Sequence, residues 1–357
     1  MNGRLTSLRD SGRALAVIRA GDWWEHKLVP MLGTAYATTF LIHRPLLSVA
    51  PMLLFTLAAV VVGAVYVSVI NDFTDREDDR LAGKPNRVQD LPGWTAPLLI
   101  AALLLAGALF GALGWRHETA PLVVYAGSWI AFTAYSVPPI RLKTRGALGV
   151  VADAAGAHLF PQLLAALAVF AAARHSVDTT WVVLVGVWAM ATGVRCALWH
   201  QLEDSESDRS IASATFGARH PQIGRSVGRS IVFPLELLAL AGLLVRAGNP
   251  VALGLVPVYV LVELQRAMRH KVKYAVVDGS DGSPRSVIAT YYIAVYPIGF
   301  LIGCVLQYPA ALTILAAQVV LFPRASIGLL GDLWRCGRGV VMIAVRQGTA
   351  HLHRTTS

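Results

Sequence analysis

Residues 55–79 read FTLAAVVVGAVYVSVI followed by NDFTDREDD, a largely apolar run that ends in five acidic residues within nine positions. An apolar run of this kind is typical of a membrane-spanning helix. Ionisable groups in or beside a bilayer are costly and usually mark a functional site. We therefore treat the acidic window, residues 71–79, as the first candidate site.

The rest of the chain repeats the apolar pattern. Its 357 residues are 55% hydrophobic and only 15% charged, whereas soluble proteins are about a quarter charged. The pattern predicts an all-α polytopic membrane protein that forms one integrated bundle of nine transmembrane helices. The predicted spans are 28–43, 46–70, 94–114, 119–137, 147–172, 180–199, 230–246, 250–265 and 287–308.

We expect three regions along the chain: an N-terminal interfacial segment (1–27), the nine-helix domain (28–308) and a C-terminal segment with a basic tail (309–357). In the last region, the stretch ALTILAAQVVLFP is short for a span. A tenth, tilted span and an interfacial amphipathic segment from Arg324 onward both fit. We favour the interfacial segment.

Lysine and arginine are distributed asymmetrically. With the N-terminus inside, the inner segments carry 21 of the 31 Lys and Arg residues, and the four outer loops carry one each. This asymmetry predicts a multi-pass protein of the cell (inner) membrane with a cytoplasmic N-terminus and cytoplasmic motif loops. The net charge of +10 is then explained by topology and attraction to anionic lipids, and not by nucleic-acid binding. The three cysteines are far apart, so neither a disulfide framework nor a metal knuckle is predicted.

A second acidic window, HQLEDSESD (200–208), aligns with the first without gaps at an offset of 129 residues. Asp75 aligns with Asp204, and Asp79 aligns with Asp208. The two windows hold nine of the 21 acidic residues, and each follows an apolar run on the predicted inner side. A solvated loop is the ordinary explanation of one acidic patch, but it explains two patches in register poorly.

The spacing within the windows fits a metal site. If the helix continues through the first window, Asn71, Asp75 and Asp79 lie one turn apart on one face, with Asp72 close by. Stacked carboxylates repel by a few tenths of a kcal/mol per pair unless a cation compensates them, roughly. Oxygen ligands suit Mg²⁺, which commonly binds one or two carboxylates plus substrate phosphate. Two such stripes facing each other, with metal between them, would hold a diphosphate. The predicted metal ligands are Asn71, Asp72, Asp75, Asp79, Asp204 and Asp208.

Basic residues near the windows supply the positive charge that a diphosphate leaving group requires. The segment LAGKPNR follows the first window, and the loop AYSVPPIRLKTRG (134–146) lies between the two windows. The ordinary explanation of this loop is inner-face positive charge with a Pro-Pro turn. The predicted diphosphate-binding residues are Asn71, Lys84, Arg87, Arg141, Lys143 and Arg209.

These motifs resemble those of the UbiA-type intramembrane prenyltransferases. NDFTDREDD is similar to the N-D-x-x-D-x-x-x-D signature of that family, and YSVPPIRLK is similar to the Y-S-x-P-P-x-x-L-K loop of its chlorophyll-synthase-like branch. DSESDR stands where the family carries its second aspartate motif. The resemblance implies a nine-helix bundle whose central cavity opens laterally to lipid beneath a cap of motif loops. It also implies two Mg²⁺ ions, a polyprenyl diphosphate and a lipid-soluble, often aromatic, acceptor.

By position, the resemblance implies that the aspartates hold metal and orient the diphosphate, and that Tyr135 and Lys143 contact it from the capping loop. The implied catalytic residues are Asp72, Asp75, Asp79, Asp204, Asp208, Lys143 and Tyr135.

The acceptor end is less well defined by the motifs. The second window has His200 and Gln201 where the family often has another aspartate, and Arg195 lies inside a predicted span, which favours a functional role. Asp153 and His158 do not share a helix face at their spacing, so we expect polar contacts from them rather than catalysis. The candidate acceptor residues are His200, Gln201, Arg195 and Arg19.

The predicted function is Mg²⁺-dependent transfer of a prenyl group from a polyprenyl diphosphate to an acceptor within the membrane, through metal-assisted ionisation. The same fold could instead transfer a phosphoribosyl group to a polyprenyl phosphate, or cyclise an isoprenoid. A cation-coupled transporter is the non-enzyme alternative, but the acidic windows end spans on one side instead of meeting near the midplane. The sequence leaves the acceptor, the prenyl length and the oligomeric state open.

Overall fold

The computed structural model describes residues 20–89, 91–203, 215–277, 285–331 and 334–335. These residues are almost entirely helical, and a short parallel pair of strands, β1 (Tyr274–Ala275) and β2 (Arg285–Ser286), accompanies the helices. The helices are α1 (Ala20–Leu41), α2 (Leu46–Thr74), α3 (Arg76–Ala82), α4 (Thr95–Trp115), α5 (Thr119–Ser136), α6 (Ala147–Ala172), α7 (Thr179–Glu203), α8 (Phe216–Arg219), α9 (Pro221–Ala247), α10 (Pro250–His270), α11 (Tyr291–Gln307), α12 (Pro309–Leu321) and α13 (Pro323–Gly331).

Six of these helices are long and apolar enough to cross a membrane: α2, α4, α6, α7, α9 and α10. Each of the nine segments predicted as spans coincides with a described helix. Helix α11 is too short for the same criterion, and α1 and α5 do not meet it. The helical membrane architecture is therefore supported, while the count of nine spans stays a prediction.

Helix α1 is less apolar than its neighbours because other helices enclose it. Thr38 and Thr39 are fully buried and donate to backbone carbonyls one turn earlier, and the indole of Trp181 donates to the Thr38 hydroxyl at 2.9 Å. Thr34 donates to Gln162 of α6 at 2.6 Å. Polar side chains are tolerated at membrane depth where protein partners satisfy them. The polar content of α1 therefore marks a central helix.

Helices α6 and α7 approach each other closely at Gly193. A Cβ atom at this position would lie 2.8 Å from the carbonyl oxygen of Ala154, which any side chain would have to displace. Just beyond this contact, α6 contains a π turn, Ala155–Leu159. Such turns are often found at functional sites. The contact fixes the part of α6 that carries Asp153 and His158.

The C-terminal helices α12 and α13 meet at 95°. The Glu25 carboxylate of α1 accepts hydrogen bonds from the backbone N–H groups of Arg324 (3.1 Å) and Ala325 (2.7 Å) at the start of α13. A carboxylate at a helix N-terminus satisfies free N–H groups and is favoured by the helix dipole. The start of α13 is thus held against α1. A bent pair of helices fits both a broken span and an interfacial segment. The assignment of residues 309–357 to an interfacial segment therefore stays a prediction.

Candidate active site

The first acidic window lies at the junction of α2 and α3. Helix α2 ends at Thr74, and Asp75 has a non-helical backbone conformation (φ −100°, ψ 0°). The backbone N–H of Asp75 still donates to the Asn71 carbonyl at 2.9 Å, and that of Asp79 donates to the Asp75 carbonyl at 2.8 Å. The one-turn spacing predicted for Asn71, Asp75 and Asp79 therefore persists through the break.

Asn86, which the sequence analysis did not single out, connects the two ends of this window. Its side-chain amide donates to the Asp72 carbonyl at 2.7 Å and to the Asp79 carboxylate at 2.8 Å. Burial raises the pKa of the Asp79 carboxyl, and the hydrogen bond from Asn86 offsets part of this effect. The available signal was the Pro-Asn pair in LAGKPNR, a composition typical of a turn.

The Asp72 side chain faces the loop that follows α3. It is buried and accepts a hydrogen bond from the backbone N–H of Arg87 at 3.3 Å, with the Arg87 guanidinium 4.0 Å away. Lys84 lies at the start of the same loop, where its backbone N–H donates to the Asp79 carbonyl at 2.9 Å. The loop thus brings two predicted diphosphate-binding residues beside the acidic window.

The capping loop contacts the first window through Asp75. The Arg141 guanidinium donates to Asp75 at 3.1 Å and to Asp78 at 2.7 Å, and the Lys143 ammonium also donates to Asp75. Burial lowers the pKa of Lys143, and Asp75 offsets part of this effect. Burial would also lower the pKa of Arg141, but its hydrogen bonds to the two carboxylates raise it. Positive and negative groups thus converge on one point, although their sequence separation exceeds 60 residues.

Local backbone geometry holds the capping loop in place. The peptide between Pro138 and Pro139 is cis, and Arg141 has a positive φ of 37°. Gly149 at the start of α6 packs directly under the loop, since a Cβ atom there would lie 2.8 Å from the Leu142 carbonyl oxygen. The Ser136 hydroxyl donates to the side-chain oxygen of Asn71. The start of the loop is therefore joined to α2, and its end packs against the first turn of α6.

A cavity of about 760 Å³ adjoins the acidic window. Helices α1, α2, α5, α6 and α7 line it, and Asn71 and Tyr135 belong both to its wall and to the motifs. Much of the remaining wall is apolar, with aromatic side chains of Tyr66, Trp129 and Phe132. The cavity is therefore polar where it meets the acidic window and largely apolar elsewhere.

Other walls of the same cavity carry polar groups. Lys27, Asp153 and His200 line it from α1, α6 and α7 respectively. The Lys27 ammonium lies 2.6 Å from Nε2 of His158. Of the candidate acceptor residues, His200 is thus placed at the cavity.

Two further candidate acceptor residues have other partners. Gln201 is buried, and its side-chain oxygen accepts a hydrogen bond from the backbone N–H of Gly217 at 2.9 Å, which attaches α8 to α7. Arg195 forms a buried ion pair with Glu236 of α9, at 2.6 Å and 3.0 Å, and it does not line the cavity. Neither residue lines the cavity, so neither is placed to meet an acceptor there.

Four predicted site residues lie outside the described residues: Arg19, Asp204, Asp208 and Arg209. The second half of the two-metal site stays a prediction for this reason. Within the described part of the chain, no three His, Cys, Asp or Glu side chains are arranged to hold a metal ion. The first window nevertheless fits Mg²⁺ in its chemistry, because it offers carboxylate and amide oxygens on successive turns. Lys143 and Arg141 supply positive charge at Asp75.

Comparison with known proteins agrees with this geometry. A family model described as the UbiA prenyltransferase family matches residues 31–275. The structure is similar to a UbiA homolog from Archaeoglobus fulgidus bound to GPP and Mg²⁺, with 17% identity, a TM-score of 0.52, and 84% of this chain and 99% of that chain covered.

The same homolog bound to DMAPP and Mg²⁺ gives 17% identity and a TM-score of 0.52, covering 81% of this chain and 96% of that chain. The structure bound to Cd²⁺ gives 18% identity and a TM-score of 0.51, covering 83% of this chain and 99% of that chain. A search of the curated proteins found no match. At these identities the structural likeness shows a shared fold, and the family match confirms the resemblance of the motifs. The chain belongs to the UbiA prenyltransferase family.

Proposed function

We propose that this protein transfers a prenyl group from a polyprenyl diphosphate to a lipid-soluble acceptor within a membrane. The observation that carries the proposal is the convergence of Arg141 and Lys143 on Asp75 beside an aromatic-lined cavity. The similar structures bound to GPP and DMAPP with Mg²⁺ support the same substrate class.

The diphosphate end of the site consists of cations held in place by carboxylates. Arg87 is held by Asp72, and Arg141 and Lys143 are held by Asp75. In this arrangement their N–H groups can hydrogen-bond to phosphate oxygens, where negative charge develops as the bond to the prenyl carbon breaks. Tyr135 lines the adjoining cavity, and Lys84 begins the loop that carries Arg87.

The metal would bind at the acidic windows. When bound, two Mg²⁺ ions would neutralise the diphosphate and promote its departure as a leaving group. The residues proposed to hold them are Asn71, Asp72, Asp75, Asp79, Asp204 and Asp208.

The cavity would hold the prenyl chain and protect the allylic cation. Its volume of about 760 Å³ is in the range of small-molecule sites, about 300–1,000 Å³. The faces of Trp129, Tyr66 and Phe132 offer negative π surface to a cation. An apolar wall also excludes water, which would otherwise capture the cation as an alcohol.

The placement in the membrane follows from the sequence. We propose nine spans with a cavity open laterally to lipid, and motif loops and N-terminus that face the cytoplasm across the cell membrane. The distribution of Lys and Arg supports this orientation. Residues 28–308 would form the nine-helix domain, with residues 1–27 and 309–357 at the membrane surface.

The proposal is tested by product analysis. Membranes from cells that express the full chain are incubated with Mg²⁺ and labelled geranylgeranyl diphosphate, and the lipid extract is analysed by mass. We expect a labelled lipid whose mass exceeds that of its acceptor by the mass of the prenyl group less one proton. A phosphosugar lipid, or a cyclised isoprenoid without an acceptor, would instead favour the other reactions of this fold. Release of no diphosphate would contradict the proposal.

A further inference from the structure

Two side chains at the acidic window have no role in the proposed function. Arg76 is the only basic residue of the window, residues 71–79, and Asn86 lies in the loop that follows α3. This loop, residues 83–89, is named the α3 loop here, and it carries Arg87. Whatever holds the α3 loop against the window therefore also decides where the Arg87 guanidinium lies.

Arg76 holds the α3 loop from the side of the window. It is the first residue of α3 and follows Asp75 directly. Although it stands among five acidic residues, its guanidinium donates to the backbone carbonyl of Val88 at 2.5 Å. The same guanidinium lies 6.0 Å from the centroid of the Phe73 ring, within the range of a cation–π contact. Arg76 therefore connects the acidic window to the loop residue next to Arg87.

Asn86 attaches the α3 loop from within the loop itself. Its amide N–H groups donate to the Asp72 carbonyl at 2.7 Å and to the Asp79 carboxylate at 2.8 Å. Its side-chain oxygen accepts a hydrogen bond from the backbone N–H of Val88 at 3.2 Å. An asparagine side chain has two N–H donors and one acceptor oxygen, so both kinds of group are engaged. Because Asn86 is also buried, it serves to attach the loop and not to meet a ligand.

Arg87 lies between these two points of attachment. Its backbone N–H donates to the Asp72 carboxylate at 3.3 Å, and its guanidinium lies 4.0 Å from the same carboxylate. The Arg87 side chain is 32% exposed, so a ligand can reach the guanidinium. A group that is already held in its binding geometry loses less conformational freedom when the ligand arrives. The attachments at Asn86 and Val88 supply this preorganisation.

We propose that Arg76 and Asn86 are positioning residues that hold Arg87 in place for the diphosphate of the prenyl donor. The inference rests on the proposed function, in which Arg87 binds that diphosphate. Neither residue touches the substrate, since both act on the α3 loop and thereby on Arg87. Their effect therefore lies in the binding of the diphosphate more than in the chemical step.

The test measures diphosphate binding and turnover side by side. The full-length protein in detergent is given Mg²⁺ and labelled geranylgeranyl diphosphate. Equilibrium binding gives Kd, and release of diphosphate gives KM and kcat. For Asn86→Ala, which removes the amide and adds no charge, we expect Kd and KM to rise by about 10-fold, the lower end of the loss of a hydrogen bond to a charged group. The value of kcat should stay within about 3-fold of the wild type, as for a loss of uniform binding.

Arg76→Met removes the other attachment and should give the same pattern. Arg80→Met is the matched control, because it removes the same charge from the same helix. Arg80 pairs with Glu77 at 2.5 Å, and both side chains are exposed. This control should keep the wild-type Kd and KM, which separates the loss of an attachment from the loss of a nearby positive charge.

Double-mutant cycles with Arg87→Met separate positioning from a general structural role. When Asn86→Ala or Arg76→Met is added to Arg87→Met, Kd should change by less than about 2-fold, because the group that they position is absent. The unfolding midpoint of each variant, followed by intrinsic fluorescence, reports stability separately. If one of the two variants does not fold, the cycle with the other decides.

Two results would overturn the inference. The first is a wild-type Kd in the folded variants Asn86→Ala and Arg76→Met, whatever their unfolding midpoints, because a purely structural role would behave so. The second is full additivity with Arg87→Met, which would show that the two residues act independently of Arg87.

The wild-type protein distinguishes this inference from the proposed function. A wild-type protein that binds labelled geranylgeranyl diphosphate but releases no diphosphate would contradict prenyl transfer, while the Kd values would still decide the positioning role. A wild-type protein that does not bind geranylgeranyl diphosphate in the presence of Mg²⁺ would contradict both.

Discussion

Asp75 is the residue at which the first acidic window and the capping loop meet. It ends α2, and its carboxylate accepts from both Arg141 and Lys143 of the capping loop. One carboxylate thus has two tasks: it orients the cations that would bind the diphosphate, and it belongs to the predicted metal set. Asp78, three residues later, forms an ion pair with Arg141 at 2.7 Å.

We predict that Asp75→Asn reduces prenyl transfer by about 100-fold or more, the usual size of losing one preorganised electrostatic group. The amide cannot neutralise Lys143 and is a weaker metal ligand. Asp78→Asn should remain within about 3-fold of the wild type, because Arg141 keeps its bond to Asp75. Release of labelled diphosphate at saturating Mg²⁺ measures both. Equal activity of the two variants would contradict the role given to Asp75.

At the scale of elements, the contact between α6 and α7 positions the part of the cavity wall that carries Asp153. Gly193 lets the two helices approach closely, and the π turn in α6 follows directly after the contact. The buried Arg195–Glu236 pair then joins α7 to α9, and Tyr292 of α11 donates to the same glutamate at 2.8 Å. The presence of Arg195 inside a predicted span is explained by this ion pair between helices.

Gly193→Ala should destabilise the protein, although alanine favours helices. The added Cβ would lie 2.8 Å from a backbone oxygen of Ala154, and overpacking of this kind costs about 1–3 kcal/mol. Gly186→Ala on the same helix is the matched control, because its nearest neighbours are leucine side chains at 3.7 Å. Thermal unfolding followed by intrinsic fluorescence should show a lower midpoint for Gly193→Ala alone. An unchanged unfolding midpoint in Gly193→Ala would contradict this prediction, because it would show that α6 can shift away from α7 without loss of stability.

At the scale of the whole molecule, the candidate site joins segments that are far apart in sequence. The end of α2, the loop around Asn86 and the capping loop meet at the acidic window. Ligands that bind the folded state and not the unfolded one raise stability by mass action. A diphosphate bound with metal would thus contact three segments and stabilise the folded state.

We predict that Mg²⁺ and geranylgeranyl diphosphate together raise the unfolding temperature, by an amount that reflects about 2.7 kcal/mol at one hundred times the dissociation constant. EDTA should remove most of this effect, since the carboxylates would then repel the diphosphate. The same scan with Asp75→Asn should show a smaller shift. Equal stabilisation by the diphosphate with and without EDTA would argue against a metal-dependent site.

The sequence was sufficient to predict that this is a helical membrane protein, that the first acidic window is a candidate site, and which family the chain resembles. Each depends on local order: an apolar run of span length, carboxylates one turn apart, and a motif within nine residues. These features do not depend on which helices become neighbours. The basic loop was expected to contact the diphosphate, whereas its ion pairs with Asp75 and Asp78 became visible only in the structure.

The tertiary structure alone decided which groups share the cavity. Asp153, Lys27 and His200 stand on three different helices, and they line one cavity. Gln201 and Arg195 are polar in the sequence, but packing assigned them to Gly217 and Glu236. Such partners are chosen by helix contacts between residues distant in the chain, and no local pattern encodes them. The sequence by itself determined the chemistry that is present, and the packing of the helices decided which of those groups can meet a substrate.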